Sequence, residues 1–344
     1  MNLRETLEGI VDRRDLAEAE AAELLKDLTD PTLPPAMGGA LLTAMRMKGV
    51  TARELRGFAK TMRRLARRPV LPEGGPLVDI VGTGGDGSGS FNLSTGAAIL
   101  AAAMGVRVAK HGTSSVSSRS GSADVIRALG LPLPLDEQRA GECLAATGFT
   151  FFFAPHYHPA MKAIMPVRQA LGVRTVFNIL GPLSNPAEPE FHLIGAYHVD
   201  IAALMADALA GMPMRRAYVV HGHPGWDEAT PIGPFTLFDV TPGKVVRALR
   251  TAAEFDLPPC RAEELQGGDA AHNAHHLRAV LEGRDRGAHR NAIVLQAALV
   301  AELMGNASSP PGAAKLAADA IDRGAGANML RKLAAFGERL AASG

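Results

Sequence analysis

Four glycines fall within six positions in Gly82-Thr-Gly-Gly-Asp-Gly87, directly after the largely apolar run Leu77–Val81. Phe91-Asn-Leu-Ser-Thr95 and a run of small residues follow at once. A strand, a glycine loop and a hydroxyl-bearing helix start, in that order, let main-chain N–H groups close on an anion. The helix N-terminus adds free donors and a favourable dipole. The chemistry this spacing serves is the holding of a phosphorylated ligand.

The same loop formally matches the dinucleotide pattern G-x-G-x-x-G, but that pattern also needs an acidic residue about 20 positions on to hold a ribose. No Asp or Glu occurs between Asp86 and Asp124, and no G-K-[ST] follows, so nicotinamide and P-loop readings both fail. A second loop, Lys110-His-Gly-Thr-Ser-Ser-Val-Ser-Ser-Arg-Ser-Gly-Ser-Ala-Asp124, carries one lysine and six serines. Its hydroxyls and N–H groups suit a diphosphate, with Lys110 as a point charge. A flexible serine linker is the blander alternative; its place between a buried-type strand and the helix Ala123–Leu129 argues against that.

Val219-Val-His-Gly222 leads into Asp227-Glu228. An acidic pair alone is usually a solvated turn. Beside two phosphate-type loops it reads instead as a seat for Mg2+, which takes one or two carboxylates plus substrate phosphates. Arg168, in Met165-Pro-Val-Arg168, offers a planar fork suited to a carboxylate. Of the eleven histidines, His272, His275 and His276 lack a well-spaced carboxylate or cysteine and read as exposed helix positions. The compact Ala154-Pro-His-Tyr-His-Pro159 places His156 or His158 at a pocket, without zinc.

These groups need a scaffold, and the chain's texture supplies one. Residues 1 to about 68 read as helices: Leu16–Leu28, Ala36–Lys48 and a third opened by the capping box Thr51-Ala-Arg-Glu54. Arg63, Arg64, Arg67 and Arg68 read as cations of its last turn, favoured by the dipole over an anion patch. After the Pro69–Pro76 linker, short β-type runs (Leu77–Val81, Arg107–Ala109, Thr150–Phe153, Phe191–Tyr197, Ala217–His221) alternate with helical segments. That alternation predicts an α/β fold with a mostly parallel sheet covered by helices.

The 344 residues carry 36 basic and 35 acidic side chains, so no global field attracts nucleic acid. Aromatics make up 5%, too few for a single-strand stacking platform. Two distant cysteines, Cys143 and Cys260, exclude a disulfide framework. The N-terminus lacks a signal peptide's apolar core, and the longest apolar run, Gly96–Val106, has 11 residues, too few for a bilayer. The expectation is a cytoplasmic protein without a membrane or nucleic-acid partner.

As an ordered set, these motifs resemble the anthranilate phosphoribosyltransferase family, within glycosyltransferase family 3 of the nucleoside phosphorylase-like superfamily. The resemblance rests on Gly82–Gly87, Phe91–Thr95, Lys110-His-Gly112, Val116-Ser-Ser118, Ser120–Asp124, Pro159-Ala-Met161, Pro166-Val-Arg168, Phe177–Leu183, Asn185-Pro186, Val220-His-Gly222 and Asp227-Glu228. Ala44–Gly49 and Gly57–Met62 extend it into the helical start.

It implies a small helical domain, residues 1–70 completed by helices within about 159–190, hinged to an α/β domain of residues 71–344, as a homodimer through the helical domain. It also implies Mg2+-dependent transfer of phosphoribose from phosphoribosyl diphosphate to the amine of anthranilate, in tryptophan biosynthesis. By position, Gly82, Gly85, Asp86, Ser90, Asn92, Ser94, Thr95, Lys110, Ser115, Ser117, Ser118 and Ser122 would hold the diphosphate donor. Ser94, Asp227 and Glu228 would serve the metal. Gly82, Thr113, His158 and Arg168 would meet the acceptor, with Lys110 and Arg168 the catalytic pair. Where the family carries Asn-Arg after its Lys-His-Gly, this chain has Thr113-Ser114. That departure leaves open another aromatic or heteroaromatic acceptor. A nucleoside phosphorylase or a non-catalytic binding relative stands further off.

Overall fold

The computed structural model describes residues 2–114 and 119–343. It begins with four helices, α1 (Leu3–Val11), α2 (Glu18–Leu28), α3 (Pro35–Lys48) and α4 (Ala52–Leu65). Asn2 Oδ1 caps α1 by accepting the N–H groups of Arg4 and Glu5. The Thr51–Glu54 capping box forms as the sequence indicates, with Thr51 N–H donating to the Glu54 carboxylate at 2.8 Å. Glu54 does more than cap. Fully buried, it also accepts from Leu16 N–H at 2.9 Å and Lys48 Nζ at 3.0 Å, tying the entry of α2 and the end of α3 to α4.

Next come β1 (Leu77–Gly82), α5 (Leu93–Ala103), β2 (Arg107–Gly112), α6 (Ser122–Ala128), α7 (Glu137–Thr147) and β3 (Phe149–Phe153). Then follow α8 (Ala154–Tyr157), α9 (Met161–Leu171), α10 (Phe177–Leu180), β4 (Phe191–Gly195), α11 (Val199–Ala210) and β5 (Arg216–Gly222). A hairpin, β6 (Phe235–Thr241) and β7 (Lys244–Arg250), precedes α12 (Ala270–Leu281), α13 (Ala288–Leu303), α14 (Pro310–Asp322) and α15 (Ala325–Ser343).

The strands lie in the order β3-β2-β1-β4-β5-β6-β7. Neighbours from β3 through β5 are parallel, and β6 and β7 add on antiparallel. This is the mostly parallel, helix-covered sheet that the alternating texture predicts. The hairpin was missing from that reading. Its signal is the alternating pattern on either side of Pro242-Gly243, where Gly243 takes φ 75°. Lys244, Arg247 and Arg250 make β7 a charged edge that resists pairing with another chain.

One apolar core fills the side of the sheet under α5, α13 and α15, with Ile80, Val108, Leu277 and Leu295 among its members. A second joins Leu24, Leu41 and Phe58 of the first helices to Ile164, Val167 and Phe177, and to Ile194 and Val219 of the sheet. Residues 161–183 therefore pack with the N-terminal helices as well as with the larger body.

The arginines after Met62 divide: Arg63 and Arg64 stand in the last turn of α4, as the sequence reading has them, and Arg67 and Arg68 do not. Arg63 is buried, and its Nε donates to the Leu183 carbonyl at 2.8 Å. Arg67 and Arg68 lie beyond α4 and pair with Glu137 and Glu188. Beyond that placement, Arg63, Arg67 and Arg68 tie α4 and the chain after it to the larger body. Among the described residues no helix is long and apolar enough to cross a membrane.

Candidate active site

Strand β1 pairs with β2 on one side and β4 on the other, so the chain's direction of winding switches there. Open α/β sheets bind ligands outside the carboxyl ends of strands at such a point. Both β1 and β4 end in glycine, with Gly82 and Gly195 in register. The reason is steric. A Cβ on Gly82 would lie 2.3 Å from Asp227 Oδ2, and one on Gly195 would lie 1.5 Å from the Asp227 carbonyl oxygen. The Asp227-Glu228 turn thus sits directly on the switch point.

Gly195→Ala collides with backbone, which cannot swing aside as a side-chain tip can. Overpacking of this kind costs about 1–3 kcal/mol or more, so the urea midpoint should fall clearly. Gly75→Ala, where a Cβ meets nothing within 4 Å, should leave it unchanged.

The glycine loop wraps this turn. Gly84 and Gly85 both take left-handed φ, 65° and 72°, a conformation that glycine adopts without steric cost. Gly84 N–H donates to Asp227 Oδ2 at 2.6 Å, and Asp86 Oδ2 accepts from Asp227 N–H at 3.2 Å. Ser90 Oγ donates to Glu228 Oε2 at 3.3 Å, and Ser94 N–H, in the first turn of α5, donates to Glu228 Oε1 at 3.0 Å. The acidic pair, more than 130 residues away in sequence, thereby joins loop and helix start in one constellation.

Asp227 and Glu228 are both buried. Burial, with Asp86 facing it, pushes the Asp227 carboxyl up to about 7. Burial and the Asp227 charge push Glu228 well above the carboxylate range. Lys110 reaches in from β2, fully buried, its Nζ donating to the Ile80 carbonyl and, at 3.4 Å, to Ser94 Oγ. Burial pushes it down to about 8 against the opposing fields of Asp79, Glu228 and Asp227.

The neighbouring Asp227 and Glu228 carboxyls and the Ser94 hydroxyl offer only oxygen, and two carboxylates buried side by side are favoured in their charged form by a cation. Oxygen ligands of this kind fit Mg2+ and not a soft metal. Ser94, Asp227 and Glu228 are the residues that would hold it.

Asn92 caps α5 but its side chain is engaged: Nδ2 donates to the Ser120 carbonyl, and Oδ1 accepts from Asn273 at 2.7 Å. Thr95 is buried, its Oγ1 without a hydrogen-bond partner among the described residues. Ser122 Oγ donates to the Thr113 carbonyl at 3.4 Å, while the Thr113 side chain is exposed. Ser114 Oγ accepts from the Arg127 guanidinium at 3.1 Å. Ser115, Ser117 and Ser118 lie outside the described residues.

His158 is buried against His111, ring centroids 5.0 Å apart, and His111 meets the Gly181 carbonyl. Arg168, on α9, lies over the Phe177 ring at 5.1 Å and has no carboxylate partner among the described residues.

Two features escaped the sequence reading. Arg174 stacks over Tyr197 at 4.0 Å and donates to the Gly85 carbonyl, tying the α9–α10 connection to the glycine loop. Beneath Lys110 lies Asp79, fully buried and raised to about 6 by that burial. Its oxygens accept from His111 N–H at 3.1 Å and Asn185 Nδ2 at 2.8 Å. A lone Asp inside an apolar strand was the available signal for this second feature.

The scaffold has counterparts among known proteins. Residues 4–66 match the helical bundle domain of the glycosyl transferase family, and residues 74–327 match its a/b domain. Fold and site together define a glycosyl transferase of this two-part type. An anthranilate phosphoribosyltransferase from Chloroflexus aggregans is 42% identical over 97% of this chain and 98% of its own length. The crystal structure of the Thermus thermophilus anthranilate phosphoribosyltransferase superposes with a TM-score of 0.91, at 38% identity over 98% of this chain and all of that one. The Saccharomyces cerevisiae enzyme in complex with phosphoribosyl diphosphate and Mg superposes at 0.87, with 26% identity, over 97% of this chain and 98% of that one. The same yeast enzyme with 4-fluoroanthranilate superposes at 0.88, with 26% identity, over 98% of each chain. The chain belongs to the anthranilate phosphoribosyltransferase family.

Proposed function

We propose that this protein transfers the 5-phosphoribosyl group of phosphoribosyl diphosphate to the amine of anthranilate, releasing diphosphate, in the cytoplasm and as a homodimer through its helical domain. The observation that carries this is the buried Asp227-Glu228 pair, locked to the glycine loop through Gly84 and to α5 through Ser94, in a member of this family.

In this reading the N–H groups around Gly82 and Gly85, with Asp86, Ser90, Asn92, Ser94, Thr95, Lys110, Ser115, Ser117, Ser118 and Ser122, hold the donor. Mg2+, when bound at Ser94, Asp227 and Glu228, offsets charge on the diphosphate. Lys110 adds a fixed positive charge at the same end. The amine nitrogen attacks the anomeric carbon as the bond to diphosphate oxygen breaks, its electron pair leaving with the diphosphate. The displaced amine proton passes to water. An aromatic amine is largely unprotonated at neutral pH, so the protein's task is alignment more than base catalysis. Arg168, over Phe177 and without a carboxylate partner among the described residues, orients the acceptor carboxylate; Gly82, Thr113 and His158 border the acceptor.

Diphosphate release from phosphoribosyl diphosphate, dependent on anthranilate and Mg2+, tests the reading; no release would sink it. Arg168→Ala loses a charge-assisted pair worth about 1.5–3 kcal/mol. The anthranilate KM should rise about 10- to 100-fold, with the donor KM nearly unchanged. A second reading, a different aromatic acceptor, is favoured by Thr113 and by Ser114 being engaged with Arg127. Faster release with another aromatic amine than with anthranilate would select it. Sizing of the intact protein tests the dimer, and a monomeric mass would exclude it.

A further inference from the structure

The sequence reading left His272, His275 and His276 as exposed helix positions without a carboxylate. The fold supplies one. Gly283, at φ 76°, turns the chain at the end of α12, the following loop brings Asp285 back, and the first turn of α13 presents His289. His276, Asp285 and His289 can each offer one ligand atom such that all three atoms lie within 4.8 Å of one another.

The surroundings fit a ligand set better than a chance surface cluster. His289 Nδ1 lies 3.1 Å from Asp285 Oδ2, and His289 Nε2 is buried with no hydrogen-bond partner among the described residues. The His276 ring sits 5.1 Å from His289 and 4.5 Å from His272, one helical turn away. Phe91 closes the inner side, its ring 4.6 Å from His289. A tetrahedral ion with ligand bonds of about 2.0–2.2 Å spaces its ligand atoms about 3.3–3.6 Å apart. Adjustments of about 1 Å, open to partly exposed side chains, bring the three groups to that spacing.

We propose that His276, Asp285 and His289 form a binding site for a first-row divalent ion of the zinc type, separate from the Mg2+ seat at Asp227 and Glu228. Ligand chemistry sorts the two metals: imidazole suits Zn2+ and its neighbours, while the all-oxygen seat suits Mg2+. Three protein ligands leave a fourth position for water, or for His272. The ion would staple the end of α12 to the start of α13. Asn273 on α12 holds Asn92, so the staple stiffens the wall behind the α5 cap.

The test uses the full-length protein, stripped with a chelator and titrated with zinc chloride in equilibrium dialysis, with magnesium chloride in parallel. One Zn2+ per chain is expected to bind, undisturbed by excess Mg2+. His276→Gln and His289→Gln should each weaken Zn2+ binding by at least about tenfold, while His275→Gln should not. Cobalt chloride should give visible ligand-field bands in the wild type that are lost in both ligand variants. Should His289→Gln fail to fold, His276→Gln and Asp285→Asn carry the test, with thermal melts without metal confirming their integrity. Wild-type affinity in the ligand variants, or an equal loss in His275→Gln, overturns the proposal, since scattered exposed imidazoles would then be the binders. None of these readouts depends on the transferase reaction.

Discussion

Replacing Asp227 by Asn should lower turnover about 100- to 1,000-fold at saturating Mg2+, the cost of losing a preorganised charge at a site of developing negative charge. The substitution keeps the volume beside Gly82 and an oxygen for the Gly84 N–H, so the turn on the switch point should stay in place. Stability should move the other way. Above about pH 7, where Asp227 loses its proton, a buried charge stands unpaired beside Glu228 in the metal-free protein, and the neutral amide removes it. A variant that melts higher yet turns over far more slowly separates a metal-binding role from a structural one. Near wild-type turnover would exclude Asp227 from the metal seat.

The same carboxyl gives the prediction a pH dependence. Its folded value of about 7 lies above the unfolded value near 4, so between these limits the folded state holds a proton that the unfolded state has lost. The contribution to metal-free stability is therefore present at low pH and lost as pH rises through about 7. Mg2+ competes with that proton, so the half-saturating Mg2+ concentration should climb as pH falls from 8 to 6. In Asp227→Asn this part of the climb should disappear. Mg2+ titrations of activity at several pH values measure both.

The sequence made the parallel sheet and the glycine loop legible for a physical reason. Buried parallel strands are short apolar runs, and a loop that must expose its N–H groups is rich in glycine. Asp227-Glu228 was legible only in company, because an acidic pair by itself describes a turn as well as a metal seat. Other features depended on contacts distant in sequence. Arg63 is the helix-end cation the sequence indicates, but its burial and its hydrogen bond to the Leu183 carbonyl, 120 residues away, have no local signal. The His276 cluster needs a turn to bring Asp285 back, and no fixed local spacing announces it. Arg174 carries no local mark of its role, which comes from the Tyr197 ring and the Gly85 carbonyl that the fold brings to it. The hairpin β6–β7 is a different case. Its pattern is local, but the two strands follow a run of parallel crossovers and break the texture that made the rest readable.

Lys110→Met should be the second severe variant, and its signature should differ from that of Asp227→Asn. Methionine fills much of the same space, so the change is mainly one of charge. In the proposed reaction Lys110 faces the leaving diphosphate, and kcat/KM for phosphoribosyl diphosphate should fall about 100- to 1,000-fold. Mg2+ affinity should hold or improve, because a cation that repels the metal has been removed from beside Glu228 and Asp227. Asp79 supplies a third readout. Lys110 is one of the groups that hold its carboxyl down to about 6, and without that charge the folded value rises further. The folded state then keeps its extra proton to higher pH, so metal-free stability should drop more steeply between pH 6 and 8 than in the wild type. Thermal melts across that range, set beside Mg2+ titrations and donor kinetics, resolve the three effects. Unchanged donor kinetics would remove Lys110 from the reaction and leave it as a buried counter-charge to Asp79, with only the steeper pH dependence remaining.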